Sequence, residues 1–213
     1  RNRCRKMVMT IDWTIIPDYL PVFFKGLETT LLISAISILI GFVGGILIGM
    51  CRISRNPLVY GISSVYVEAF RGTPLLIQIF LVYLGLPQLG IYIESPLVAG
   101  LIALSLNSAA YQSEIFRGGV QSISVGQIEA ARSLGMTYNQ ALFNVVIPQA
   151  IRNALPPYTN EFITMIKDSS LVMTIGVLEL TLRGKLISAT TGQSIPVLLF
   201  VAVLYFTLTS STS

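Results

Sequence analysis

The sequence predicts an all-α membrane protein with about five spanning helices and a polar element facing the cytoplasm. Three observations lead there. Of the 213 residues, 53% are hydrophobic and only 11% are charged, against about 25% charged in an average soluble domain. The apolar residues are gathered into runs near the length of about twenty that crosses a bilayer core. Between two of these runs, residues 124 to 156 read SVGQIEAARSLGMTYNQALFNVVIPQAIRNALP, a polar stretch with two helix starts, a glycine break and a proline stop.

Thr29 to Cys51 carries no charge and is the first span. Its Gly41, Gly45 and Gly49 recur every four residues, a double GxxxG ridge that admits a second helix at close range. Leu58 to Phe70 has apolar residues at helical spacing and is expected as an elbow at the cytoplasmic interface, with a continuous kinked span as the competing reading. Arg71-Gly72-Thr73-Pro74 interrupts the helix, because glycine costs backbone entropy and a residue before proline leaves the α region. Pro74 to Ile93 is the second span, Pro96 to about Phe116 the third, Pro148 to about Leu171 the fourth and Ile195 to about Ser210 the fifth. The segment 174–189 is too charged to span.

Arg52, Arg55 and Arg71 follow the first span, and Arg117, Arg132 and Arg152 follow the third. Basic residues in short loops mark the cytoplasmic side, so the N-terminus is expected outside the cell membrane. Arg183 and Lys185 in the fourth loop, and the basic opening RNRCRK, run against that pattern. Residues 1–6 precede the first methionine and are expected to be a mis-start remnant. The remaining leader, to residue 24, has Asp12, Asp18, Trp13 and Tyr19 and suits a helix lying on the outer surface. The whole chain reads as one permeation domain.

Composition excludes several classes of function. There is no histidine, which removes imidazole metal sites and Ser-His-Asp chemistry. No phosphate-binding loop of the G-x-x-x-x-G-K-[ST] type occurs, since Gly184-Lys185 is followed by Leu186. The net charge of +4 lies in short loops, with no aromatic–basic interleaving to grip nucleic acid. Cys4 and Cys51 make no disulfide framework.

In the polar element, Ser124 with Gln127 and Thr137 with Gln140 each have capping-box spacing. Gly135 suits a helix end, and the second helix runs to Pro148. The expected structure is two short helices hinged at Gly135, over residues 124–147. Ala130 and Ala131 keep one flank thin enough to enter a partner's groove.

Glu129-Ala130-Ala131, Gly135 and Val145-x-Ile147-Pro148 resemble the EAA signature of ABC-importer permeases, with valine and isoleucine standing for isoleucine and leucine. Phe70-Arg71-Gly72-Thr73-Pro74-Leu75, Asn107-Ser108-Ala109-Ala110-Tyr111, Glu114-Ile115-x-Arg117-Gly118 and Lys167-Asp168-Ser169-Ser170-Leu171 are similar to the polar amino-acid permeases of histidine/glutamine type. The resemblance implies a type I importer fold and a permease that is not itself an enzyme. It implies a second permease subunit, an ATP-binding subunit that holds ATP and Mg, and a solute-binding protein outside. It also implies a basic tail beyond the fifth span. Glu129, Ala130, Ala131 and Gly135 would couple to the ATPase, with Arg132 as a salt-bridge partner.

Candidate substrate contacts are Glu161, Asn160 and Thr164 in the fourth span and Asn107, Tyr111 and Gln112 in the third. Glu161, Thr164 and Asp168 share one helix face, as do Asn107, Tyr111 and Glu114. A charge inside a span costs about 2.5–3.5 kcal/mol on insertion scales and usually faces the bundle interior. Relatives of glutamine type can carry a neutral amide where this chain has Glu161. A carboxylate there favours a cationic amino acid, unless Glu161 pairs with a neighbouring helix or with the ammonium every amino acid has. Lys167 and Asp168 are expected as a local pair or gate. An ion-coupled secondary transporter is the alternative, but no internal repeat supports it.

Overall fold

A computed structural model of the chain describes residues 11–211. The described residues form helices and turns, in the order α1 (Ile15–Arg52), α2 (Pro57–Gly72), α3 (Leu75–Phe80), α4 (Pro96–Gln121), α5 (Val125–Ser133), α6 (Tyr138–Ala141), α7 (Ile147–Asp168), α8 (Leu180–Thr191) and α9 (Ser194–Ser211). α3 continues through a π turn at Leu81–Gly85 and a 3-10 turn at Leu86–Leu89. Two helices, α1 and α9, are long and apolar enough by themselves to cross a membrane, and α2 with α3 forms a bent third candidate. α4 and α7, with 26 and 22 residues, are long enough but more polar.

The leader is not a separate surface helix. From Ile15 onward it is the first part of α1, which runs unbroken for 38 residues. The opening basic run and Cys4 lie outside the described residues. Pro21 falls inside α1 without ending it.

The α1–α4 pair is the spine of the fold. A Cβ at Gly41 would stand 2.6 Å from the Ser108 side chain, at Gly45 2.6 Å from the Gln112 Cβ, and at Gly49 2.6 Å from the Phe116 ring. The four-residue period of the glycines on α1 thus meets a four-residue period on α4. Contact this close leaves no room for a methyl group, and buried small side chains on both helices complete the seam: Ser34 and Ser37 on α1, Ser105 and Ser108 on α4. Beside it, Ile33, Ile79, Leu104, Met165 and Val172 form one apolar cluster. Phe23, Leu180, Ile187, Val197 and Val201 form a second, joining α1 to α8 and α9.

α2 and α3 meet at 107°. Thr73 is extended (φ −117°, ψ 146°), as expected before Pro74. The carbonyls freed at this break find side-chain donors. Gln78 Nε2 donates to the Phe70 carbonyl at 2.7 Å and to Thr73 Oγ1 at 2.9 Å, and Asn107 Nδ2 donates to Gln78 Oε1 at 2.9 Å. The sharp bend makes α2 and α3 two helices and not one gently kinked rod, the geometry of a broken span or a re-entrant pair.

α8 packs its Leu180 against Gly26 of α1, whereas Arg52 at the other end of α1 approaches Glu114. Twenty-six helical residues separate these levels, about 39 Å. Arg183 is therefore at the opposite end of the bundle from Arg52, Arg71 and Arg117, which share Glu114.

Candidate functional site

Two sites emerge, one at the tip of the polar element and one inside the bundle. At the tip, Ser124 caps α5 by accepting from the Gly126 amide at 3.3 Å, without the reciprocal glutamine bond of a full capping box. Thr137 and Gln140 do form the reciprocal box that opens α6, with bonds of 3.3 and 2.8 Å. Between them Gly135 has φ +88°, a conformation glycine takes at no steric cost. The turn is closed by the Met136 amide donating to the Ala131 carbonyl and the Gly135 amide to that of Arg132.

The expected short second helix is instead the start of a long one. α6 passes through a π turn at Leu142–Val146 directly into α7, and Pro148 sits in the first turn of α7 instead of stopping it. Proline lacks an amide proton and clashes with the carbonyl four residues back; the wider π turn just before it accommodates both defects. One continuous rod thus runs from Tyr138 to Asp168.

Glu129, Ala130, Arg132 and Gly135 are exposed, while Ala131 packs inward. No ion pair joins Glu129 to Arg132 among the described residues; Glu129 uses its backbone carbonyl to accept from Ser133 Oγ. The tip also shows Val125, Leu134, Tyr138 and Phe143 to solvent, Leu134 at 83% exposure. These apolar side chains were missed in the sequence, where alternation with polar residues hid them.

Within the bundle, Thr73, Pro74, Leu75, Asn107, Tyr111, Glu161, Thr164 and Asp168 line a cavity of 240 Å³. It lies where the α2–α3 break, α4 and α7 converge. Glu161, Thr164, Asn107 and Tyr111 are brought together as their spacing predicted. Asn160 and Gln112 are not among them. Asn160 is exposed on another side of α7, its carbonyl accepting from Thr164 Oγ1. Gln112 is fully buried against the α1 glycine ridge, donating to the Ile38 carbonyl at 3.1 Å and to Ser108 Oγ at 2.8 Å. Its place one residue after Tyr111 turns it about 100° from the cavity. Asp168 lines the cavity, and its neighbour Lys167 lines a separate depression with Ser170, Thr181 and Tyr205.

Glu114 shares a face with Tyr111 but is held outside the cavity lining. Arg117 grips its two oxygens at 3.0 and 2.7 Å, Arg52 approaches at 3.3 Å and Arg71 at 3.5 Å. Arg52 and Arg117 thereby tie the end of α1 to α4 through Glu114, with Arg71 at the end of α2 the most distant and most exposed of the three.

A broken span beside a two-acid cavity, joined by a rod to an exposed polar tip, is the layout of a transporter driven from one side. Residues 41–213 match the family model for the binding-protein-dependent transport system inner membrane component. The chain belongs to that family. The probable amino-acid permease protein YxeN of Bacillus subtilis is 38% identical over 202 residues, covering 94% of this chain and 90% of the relative. The arginine transport system permease protein ArtQ of the same organism is 38% identical over 201 residues, covering 94% and 91%. A crystal structure described as an amino acid ABC transporter with histidines superposes with a TM-score of 0.91 at 41% identity, covering 96% of this chain and 95% of that one. The resemblance to amino-acid ABC permeases read from the motifs, and the type I importer fold it implied, are borne out. As a permease of this family the chain is an inner-membrane component that works with other subunits.

Proposed function

We infer that this chain forms one half of an importer pore that carries amino acids with a cationic side chain, the basic group facing Glu161 and Asp168. The observation behind this reading is charge. The cavity lining holds two carboxylates and no cation, and Glu161 is only 9% exposed. A carboxylate removed from water favours a cationic partner over a neutral one. Thr164, Asn107 and Tyr111 supply further polar groups. A relative named for arginine transport and a superposable transporter described with histidines are in keeping with this substrate class.

The power comes from elsewhere. A partner ATPase binds ATP and Mg and grips the tip at Glu129, Ala130, Ala131, Arg132 and Gly135. A second permease subunit completes the pore, and a solute-binding protein delivers the amino acid on the outer side, where the N-terminus lies. ATP-driven motion of the tip travels along α6 and α7 to the cavity, a rigid-body shift of a packed element. Family membership disfavours the ion-coupled alternative.

The test is a panel of amino acids bound to the purified permease–ATPase complex, wild type against Glu161→Gln. The variant is expected to lose its preference for arginine, lysine and histidine over glutamine. An unchanged rank order would refute the cationic assignment.

A further inference from the structure

The amino acid carried by such a pore is a zwitterion, and the cavity as lined answers only its positive end. Its carboxylate needs a cation or strong donors. The α2–α3 break places one cation at the edge. Arg71 is the last residue but one of α2, and its guanidinium carbon lies 5.3 Å from the centre of the Tyr111 ring, which itself lines the cavity.

Arg71 is also electrostatically spare. Among the described residues Glu114 is the one carboxylate that it approaches within 4 Å, and Glu114 is oversubscribed. Arg117 holds both of its oxygens in a fork. Arg52 stands at 3.3 Å with a side chain only 10% exposed. Arg71 has the longest of the three approaches, 3.5 Å, and the most exposed side chain, 43%. Three guanidiniums on one carboxylate leave two formal positive charges, and Arg71 is the member of the cluster free to turn.

We propose that Arg71 receives the α-carboxylate of the transported amino acid at the edge of the cavity, so that the substrate lies with its carboxylate toward the α2–α3 break and its amino and side-chain groups toward α7. The planar fork of arginine matches a carboxylate in two parallel hydrogen bonds, and the cation–π contact with Tyr111 keeps the guanidinium at the cavity edge. This orientation rests on the cavity being the substrate site. It makes Arg71 the residue that distinguishes an amino acid from the corresponding amine.

The experiment measures binding to the permease–ATPase complex in nanodiscs with two ligand pairs: L-arginine against agmatine, and L-glutamine against 4-aminobutanamide. Within each pair only the carboxylate differs. Wild type is expected to favour the amino acid by roughly 10- to 150-fold, the range of a hydrogen bond to a charged group. In Arg71→Gln both ratios are expected to collapse toward one, through weaker binding of the amino acids with the amines unchanged. Ratios that stay at the wild-type value overturn the proposal. If Arg71→Gln does not assemble, Arg71→Lys is read in the same way: it keeps the charge but loses the fork, so its ratios must fall, and ratios equal to wild type overturn it. Glu161→Gln separates the two readings, since it should change arginine against glutamine and leave each carboxylate ratio alone. If Arg71→Gln alone is silent, only the carboxylate assignment falls; if both variants leave all four affinities unchanged, or wild type binds none of the four, the cavity reading falls with it.

Discussion

Adding one methyl group at Gly45 tests the spine of the fold. The Cβ of Gly45→Ala would lie 2.6 Å from the Gln112 Cβ, 3.1 Å from its backbone carbon and 3.1 Å from the Ser113 amide nitrogen. Two of these three neighbours are backbone atoms of α4, so no rotamer change relieves the clash and the helices must separate. Overpacking of this kind costs about 1–3 kcal/mol. Alanine's better helix propensity returns about 1 kcal/mol, which leaves a net loss of up to about 2 kcal/mol. For a chain of this size that is a fall in Tm of up to roughly 8 °C. Two neighbouring substitutions calibrate the result. Gly44→Ala meets only the Ala109 Cβ at 3.2 Å, and Gly61→Ala meets nothing within 4 Å. The order of melting temperatures, read by fluorescence-detected size exclusion after heating, should be Gly61→Ala at or above wild type, Gly44→Ala slightly below, and Gly45→Ala lowest. Equal melting of Gly45→Ala and Gly61→Ala would refute the close-packed seam.

Three further outcomes are expected. Gly135→Val forces a β-branched residue to φ +88° at about 1–2 kcal/mol; α5 should be misplaced, lowering substrate uptake per ATP hydrolysed in proteoliposomes while ligand binding in the cavity persists. Leu134→Asp alters a side chain that is 83% exposed, so the permease should fold, but the ATPase should bind roughly 30-fold more weakly for the loss of about 2 kcal/mol of apolar burial, as measured by surface plasmon resonance. Glu114→Gln leaves Arg52 and Arg117 without their carboxylate and should cost about 3 kcal/mol, seen as faster amide exchange at the end of α1.

The sequence made the spine and the tip legible because each is a local pattern. Gly41, Gly45 and Gly49 state a contact through spacing alone, and the partner face on α4 follows the same spacing. Thr137, Gln140 and Gly135 state two helix ends through side-chain chemistry that acts within four residues. Periodicity also assigned Glu161, Thr164, Asn107 and Tyr111 to common faces. Adjacency misled at Gln112 and Asn160, because one residue along a helix is about 100° of rotation. Gln112 is also the wrong kind of residue to read from composition: it lies in a packed seam, where its Nε2 donates to the Ile38 carbonyl and Ser108. Gln78 could not be foreseen as the residue that ties the break, since its partners at Phe70, Thr73 and Asn107 depend on the 107° bend.

The misreading of Pro148 bears most on how the molecule works. A proline after a short helix is ordinarily a stop, and two short helices before a span would give a hinge between tip and membrane. A hinge there would absorb a push on the tip. The π turn at Leu142–Val146 lets the helix take up Pro148 without breaking, and Pro156 and Pro157 are likewise carried inside α7. The compliant point is thereby confined to Gly135, on the far side of α6 from the cavity. Thirty-one residues separate Tyr138 from Asp168 inclusive, a rod of about 46 Å. Its far end carries Glu161, Thr164 and Asp168 into the cavity, while α4 on the opposite wall is tied to the end of α1 by Arg52 and Arg117 on Glu114. A tilt imposed at the tip must then move the acidic wall against a wall that is pinned, and a cavity built of one moving and one fixed wall is what alternating access requires.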